Sequence, residues 1–284
     1  DFDKVISLLA EQLREPSFTQ EEFDKVVNQK LGGLKQSLEE PNVRAEEKMN
    51  DLLFDENHPN HGTSVQKAID DLSKLTLDDV KEFYSKYYGP KSMILVAVGD
   101  LEHASVQSSI SNSFNGWEGG VEIPSYEKGQ IKTSGKTEIV RLEDKTSATI
   151  QIGQITGLKN SDKDYLPLTI ANQVFGGGSF TARLMSIIRD EEGLTYGIYA
   201  SLSNDVYTDG LWSIWGTFSP DLLSKGYSST MRELKRWVAE GVSEEEFNNV
   251  KTRLIGSYKV RLATTNGMAS TILSFIQRGY DLDY

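Results

Sequence analysis

The sequence has no cysteine, which removes disulfides, thiolate metal sites and a cysteine nucleophile in any compartment. Histidine is scarce. The 3 present, His58, His61 and His103, never form the His-x-x-Glu-His pattern that seats zinc on one helical face. The longest apolar run, Met93 to Val98, falls far short of the roughly 18 residues a membrane-spanning helix needs. Positive charge is in deficit: 30 Lys and Arg against 42 Asp and Glu give a formal net charge of −12 and a pI near 4.8. Such a chain repels phosphate backbones, and no basic stripe with interleaved aromatics compensates, so nucleic acid is not an expected partner.

What is present is ordinary globular material: 284 residues, 38% hydrophobic and 25% charged, enough for one large or two medium domains. The first residues, Asp1 to Ile6, read as an amphipathic helix rather than a leader, since they lack a basic and then an apolar region. Periplasm and cytoplasm both stay open.

An internal repeat organises the chain. Thr19-Gln-Glu-Glu-Phe23-Asp-Lys-Val26 recurs as Ser243-Glu-Glu-Glu-Phe247-Asn-Asn-Val250, an offset of 247 − 23 = 224 that also pairs Gly32 with Gly256, Leu38 with Leu262 and Ala45 with Ala269. Each copy opens with a hydroxyl at the N-cap and a glutamate three residues on, Glu22 or Glu246, the signature of a capping box. The offset implies the back part of one domain joined to the front part of another, trimmed at both ends.

Apolar residues at three- and four-residue spacing predict helices over Phe2–Leu13, Gln20–Leu38, Val43–Phe54 and Leu77–Tyr87, with another near Ala104–Phe114. Ser92–Val98 predicts a buried strand between Pro90 and Gly99. Asn115 to Gly135, rich in glycine and without periodicity, predicts a linker, which divides the chain into residues 1–114, 115–135 and 136–284. Beyond it the pattern predicts strands over Thr137–Leu142, Ala148–Gln154, Tyr196–Ser203 and Leu211–Phe218. Helices are expected over about Asp162–Phe175, up to Arg189, Asp221–Glu240 and Glu244–Leu262. Grouped strands and grouped helices favour an α+β sheet with helices on one face.

Several motifs fail on inspection. His58-Pro59-Asn60-His61, beside Asp55 and Glu56, reads as a solvated turn without preset ligand geometry. Lys132 to Thr137 resembles the tail of a phosphate-binding loop, but Gln130 occupies the place of its first glycine. Gly176-Gly177-Gly178 lacks the third spaced glycine of a dinucleotide site, Thr181 standing there instead, and means unusual backbone angles or close approach of another chain. Gly-x-Ser-x-Gly is missing, which removes the nucleophile elbow of a serine hydrolase.

One stretch carries a resemblance. Phe175-Gly-Gly-Gly-Ser-Phe-Thr-Ala-Arg-Leu184, continuing through Ile188-Arg189 to Gly193-Leu194-Thr195-Tyr196, is similar to the signature of the second domain in peptidase family M16, the pitrilysin and mitochondrial-processing-peptidase family. The Val98-Gly99-Asp100 strand end, the glycine-rich linker and the duplication agree with it, so the likeness covers essentially the whole chain. The resemblance implies duplicated M16-type (LuxS/processing-peptidase-like) domains with an antiparallel-rich mixed sheet and helices packed on one face. It implies that Arg189 and Tyr196 reach across a closed chamber to stabilise a substrate carbonyl, and that Gly176, Gly177, Gly178 and Ser179 grip an extended peptide.

The departure from the family is equally informative. Active first domains carry a third zinc ligand, a glutamate roughly where Gly33 stands, and no acidic residue occurs from Lys25 to Leu38. A glycine cannot ligate zinc. The resemblance is therefore to inactive, substrate-binding subunits: no metal site and no cofactor in this chain, zinc in a partner M16 subunit, and peptides or unfolded proteins as substrates. A heterodimer is expected, with a homodimer as the other arrangement. Alternatives are a proteolytically inactive scaffold like the core subunits of respiratory complexes, and a complete zinc endopeptidase whose motif lies upstream.

Overall fold

The computed structural model describes residues 2–122, 124, 126–130, 135–178, 180–203 and 205–280. Amphipathic segments give ten α-helices among the described residues, and Thr19, Ser64, Thr76, Ser243 and Thr264 cap five of them with a hydroxyl. They are α1 (Phe2–Arg14), α2 (Gln20–Ser37), α3 (Pro41–Leu53), α4 (Val65–Leu72), α5 (Leu77–Tyr87), α6 (His103–Phe114), α7 (Tyr165–Phe175), α8 (Leu223–Glu240), α9 (Glu244–Leu262) and α10 (Thr265–Gln277). Strands β1 (Ala148–Ile155), β2 (Thr195–Ser203) and β3 (Leu211–Phe218) form one antiparallel sheet in the order β1-β3-β2. The class is α+β.

Alternation along the strands sorts the sheet into two faces. Ile152 pairs with Ile214 and Ile214 with Ala200, while Gly216 sits between Ile150 and Ile198. That face closes over Phe175, Leu184, Met185 and Ile188, with Trp237 of α8 stacked at 4.7 Å on Phe175. The helices of the second unit lie on this side, as expected. The opposite face receives α3 from the first unit, where Met49 and Phe54 are buried with Ile155 and Leu211. Gly153 permits that approach: a Cβ there would run into the Met49 sulfur.

Two expected strands do not form. Pro90–Ser92 turns as a short 3-10 helix, and neither the rest of Ser92–Val98 nor Thr137–Leu142 pairs with any described strand. Apolar patterning reports burial, whereas a strand also needs a neighbour to take its N–H and C=O groups. The remaining differences are α4 and α10, both unforeseen. At 8 residues α4 is too short for periodicity to register, although Ser64 caps it by accepting from the Lys67 N–H at 3.2 Å.

The repeat is visible in the helix bounds. Adding 224 to the ends of α3, 41 and 53, gives 265 and 277, the ends of α10; adding it to the start of α2 gives 244, the start of α9. Only the second copy completes its capping box. Glu246 Oε2 accepts from the Ser243 N–H at 2.9 Å, whereas the Glu22 carboxylate turns to Lys25 at 3.6 Å and Thr19 caps alone.

Arg183 accounts for the difference. Its Nε and a terminal nitrogen grip the two Glu246 oxygens at 2.5 and 2.6 Å. Those hydrogen bonds hold the carboxyl well below its usual range, at about 2, against the opposing effect of burial. A depressed carboxylate contributes stability above its unfolded pKa near 4.5, and that stability drains away as pH falls towards 2. Glu246→Gln keeps the shape and should cost about 1–2 kcal/mol at pH 7, allowing for partial exposure. The difference between the two melting curves should shrink by about half at pH 3; a pH-independent difference would refute the ionic origin.

Candidate functional site

Arg189 and Tyr196 are brought together by two irregularities in the backbone. Residues Met185–Glu191 wind as a π-helix, whose wider turn shows in the Glu192 N–H donating five residues back to Ile187 at 2.9 Å. This anchors Ile188 in the core, fully buried, and carries its neighbour Arg189 to the surface side with a 30% exposed side chain. Just beyond, Thr195 pairs with Phe218 and Gly197 with Thr217, so Tyr196 is the extra residue of a β-bulge. The Thr195 hydroxyl stitches the bulge by accepting from the Gly197 N–H at 3.1 Å and donating to the Thr217 carbonyl. Tyr196 is thereby aimed outward and is 90% exposed.

The guanidinium of Arg189 lies 5.6 Å from the Tyr196 ring centroid and 5.1 Å from that of Phe180, itself 66% exposed. The three side chains make an open ladder in which the guanidinium lies within cation–π reach of both rings. Asp190 accepts from one arginine N–H at 2.8 Å. A planar donor fork held beside an exposed phenol is suited to peptide carbonyls or carboxylates. Phe180 was not foreseen from the sequence; its place in a glycine-rich turn, where a large exposed ring has no core to fill, was the available signal.

The glycines divide by role. Gly176 is buried: its carbonyl accepts from the Ala200 N–H at 2.8 Å, and a Cβ there would stand 2.6 Å from that nitrogen. Its carbonyl is therefore already engaged by β2. A Cβ on Gly177 would sit 2.6 Å from the Gln173 Cα. Gly178 alone is exposed, at a left-handed φ of 77° with open space around it. Ser179 lies outside the described residues. Beneath the turn, Asn172 donates to the Ala200 carbonyl at 3.0 Å and accepts from the Trp212 indole at 2.8 Å, which locks α7 to β2 and β3.

No group of three or more His, Asp or Glu side chains among the described residues is arranged to hold a metal ion. The His58 turn is not the solvated loop expected. His58 stacks on Phe54 at 4.6 Å, its Nδ1 accepts from the Asn60 N–H at 3.1 Å, and its Nε2 lies 3.8 Å from the buried Asp209. Asp209 in turn accepts from the Gly129 N–H at 2.7 Å, so this histidine belongs to a contact joining both units. A Cβ at Gly33, by contrast, would meet nothing within 4 Å, so packing does not dictate glycine there. No helix among the described residues is long and apolar enough to cross a membrane.

Residues 74–254 match the family described as Peptidase M16 inactive domain. A Helicobacter pylori protein named Non-peptidase homolog YmxG is 27% identical over 99% of this chain and 64% of its own length. The Bacillus subtilis protein named Probable inactive metalloprotease YmfF is 28% identical over 68% of this chain and 46% of its own. Among solved structures, the peptidase M16 inactive domain from Pseudomonas fluorescens superposes with a TM-score of 0.85 at 22% identity, covering 99% of this chain and 65% of that one. A protease from Helicobacter pylori gives 0.86 at 19% identity, covering 98% and 67%. The chain spans 64% or less of the length of the two curated relatives.

Proposed function

Since the chain belongs to the M16 peptidase family, matching its inactive domain, we propose that it is the non-catalytic, substrate-binding part of an M16 metallopeptidase acting on peptides or unfolded proteins. In this reading a zinc-bearing M16 partner holds the hydrolytic centre, and this chain's own residues bind and orient the peptide. The phenol of Tyr196 donates to a substrate carbonyl. The Arg189 fork holds the adjacent backbone oxygen, and the exposed Gly178 lets the extended chain pass close to the turn.

The observation that carries the reading is the exposure of Tyr196. A tyrosine 90% open to solvent, thrust out by a stitched bulge beside a ring-clamped arginine, has no packing purpose in its own unit. The relatives named non-peptidase or inactive metalloprotease support the non-catalytic side of it. A pure scaffold would need neither the bulge nor the ladder. The test is peptide hydrolysis by the complex with a zinc-bearing M16 subunit, comparing the parent chain with Arg189→Ala plus Tyr196→Phe. Unchanged turnover would overturn the proposal.

A further inference from the structure

A polar cleft of about 310 Å³ opens where the two units meet, between α3 and the sheet face on which α3 packs. Two periodicities build its walls. The strand register sets Tyr199 opposite Trp215 and Ser201 opposite Ser213, and Ser213 also pairs with Gly153, the glycine under Met49, so these side chains face α3. On α3, Glu46 and Asn50 stand one turn apart and line the opposite wall. The neighbouring charges of that helix are paired elsewhere, Arg44 with Glu47 at 2.7 Å and Lys48 with Asp51 at 3.9 Å. Among the described residues the Glu46 carboxylate has no ion-pair partner, and it is the one charged group lining the cleft. Packing between the units does not account for this chemistry. Adding 224 maps Met49 onto Leu273 of α10 but Glu46 onto Ser270, so the apolar contact recurs in the second copy and the carboxylate does not. Likewise Ser201 and Ser213, whose hydroxyls lie 3.3 Å apart, occupy strand positions that β-branched residues would fill better.

We infer that this cleft binds a guanidinium group, carried either by a small arginine-like molecule or by an arginyl side chain of a peptide. The walls offer acceptors in excess of donors. Glu46 supplies a carboxylate, the two serines supply hydroxyls, and the Asn50 Oδ1 is buried with no donor to it, an arrangement that native structures rarely leave unfilled. The Trp215 ring, stacked on Tyr199 at 5.9 Å with 10° between the planes, adds a fixed aromatic surface. A guanidinium uses all of these at once: it is planar, stacks on an aromatic face, and presents a fork of donors that matches a carboxylate. An ammonium satisfies the charge without the stack, and an anion is repelled by Glu46. One carboxylate is too few ligands for a divalent cation. The site is separate from the ladder at Arg189, because Ser201 lies five residues along β2 from Tyr196, roughly 16 Å at the rise of a strand.

The test is calorimetric titration of the full chain with N-acetylarginine amide, without any zinc-bearing partner, so that its outcome is independent of peptide hydrolysis. Saturable binding is expected, at least about tenfold weaker for the citrulline analogue, which has the same shape without the charge, and several-fold weaker for the lysine analogue. Glu46→Gln, at an exposed position whose variant should keep the parent circular dichroism, is expected to weaken binding about tenfold or more. Ser201→Val, also exposed, should weaken it by narrowing the cleft and removing an acceptor. Two further ligands identify the source of the group. Agmatine binding as tightly as the amide assigns the cleft to a small molecule, whereas a capped Gly-Gly-Arg-Gly-Gly peptide binding about tenfold tighter assigns it to a peptide side chain. Absence of saturable binding up to about 10 mM would overturn the inference, as would equal binding of arginine and citrulline analogues or binding indifferent to Glu46→Gln.

Discussion

On the proposed reading, Arg189→Ala combined with Tyr196→Phe, assayed together with a zinc-bearing M16 subunit, should lower kcat by about 10²–10³-fold, the loss typical of removing a preorganised donor from a developing oxyanion. Most of that loss belongs in kcat, since a donor aimed at the carbonyl is used more fully as charge develops than in the ground state. Tyr196→Phe removes a single hydroxyl from a side chain that is 90% exposed, so the fold should not register it. Arg189→Ala also removes the guanidinium that contacts both Phe180 and Tyr196, which releases both rings. Arg189→Lys separates the two contributions: it keeps the charge but not the planar fork, and should fall between parent and alanine. Melting temperatures of all four variants should lie within about 2 °C of the parent. A fall in activity that tracks a fall in melting temperature would assign these residues to packing.

The sequence made the elements with strong local signals legible and left the others dark. Helices α2 and α9 announced themselves through their caps, and β2 and β3 through alternation closed by a pairing partner within the chain. Ser92–Val98 has the same strand-like composition without a described partner, and it forms no ladder. The site divided along the same line. Arg189 and Tyr196 were visible as a motif, but their meeting depends on a π-turn and a bulge, each an extra residue inserted into a regular hydrogen-bond pattern. Residue type does not encode such an insertion; the π-turn contains the buried Ile188 and the bulge falls just after the buried Leu194. Gly176 shows the converse. A glycine triplet reads equally as a substrate cradle or as a close approach, and only the Ala200 N–H lying over its carbonyl selects the second.

Phe175→Ala should be the most destabilising single change near the site, at about 3–5 kcal/mol. Phe175 is fully buried, and its ring stacks on Trp237 at 4.7 Å and approaches Trp212 at 6.1 Å, joining α7 to α8 and to the sheet. Truncation leaves a cavity among large rigid rings that cannot collapse into it, which puts the cost in the upper part of the usual range. At roughly 2–4 °C per kcal/mol for a chain of this order, the melting temperature should fall by about 10 °C, and the emission of the two tryptophans should shift as their stack opens. The same core holds Ile188, the residue beside Arg189, and the turn at Gly176 follows Phe175 directly. Activity in the complex should therefore drop together with stability in Phe175→Ala, whereas Arg189→Ala plus Tyr196→Phe drops activity alone. If Phe175→Ala melted within about 2 °C of the parent, the sheet-and-helix core could not be what positions the ladder, and the rigid placement of Arg189 would need another source.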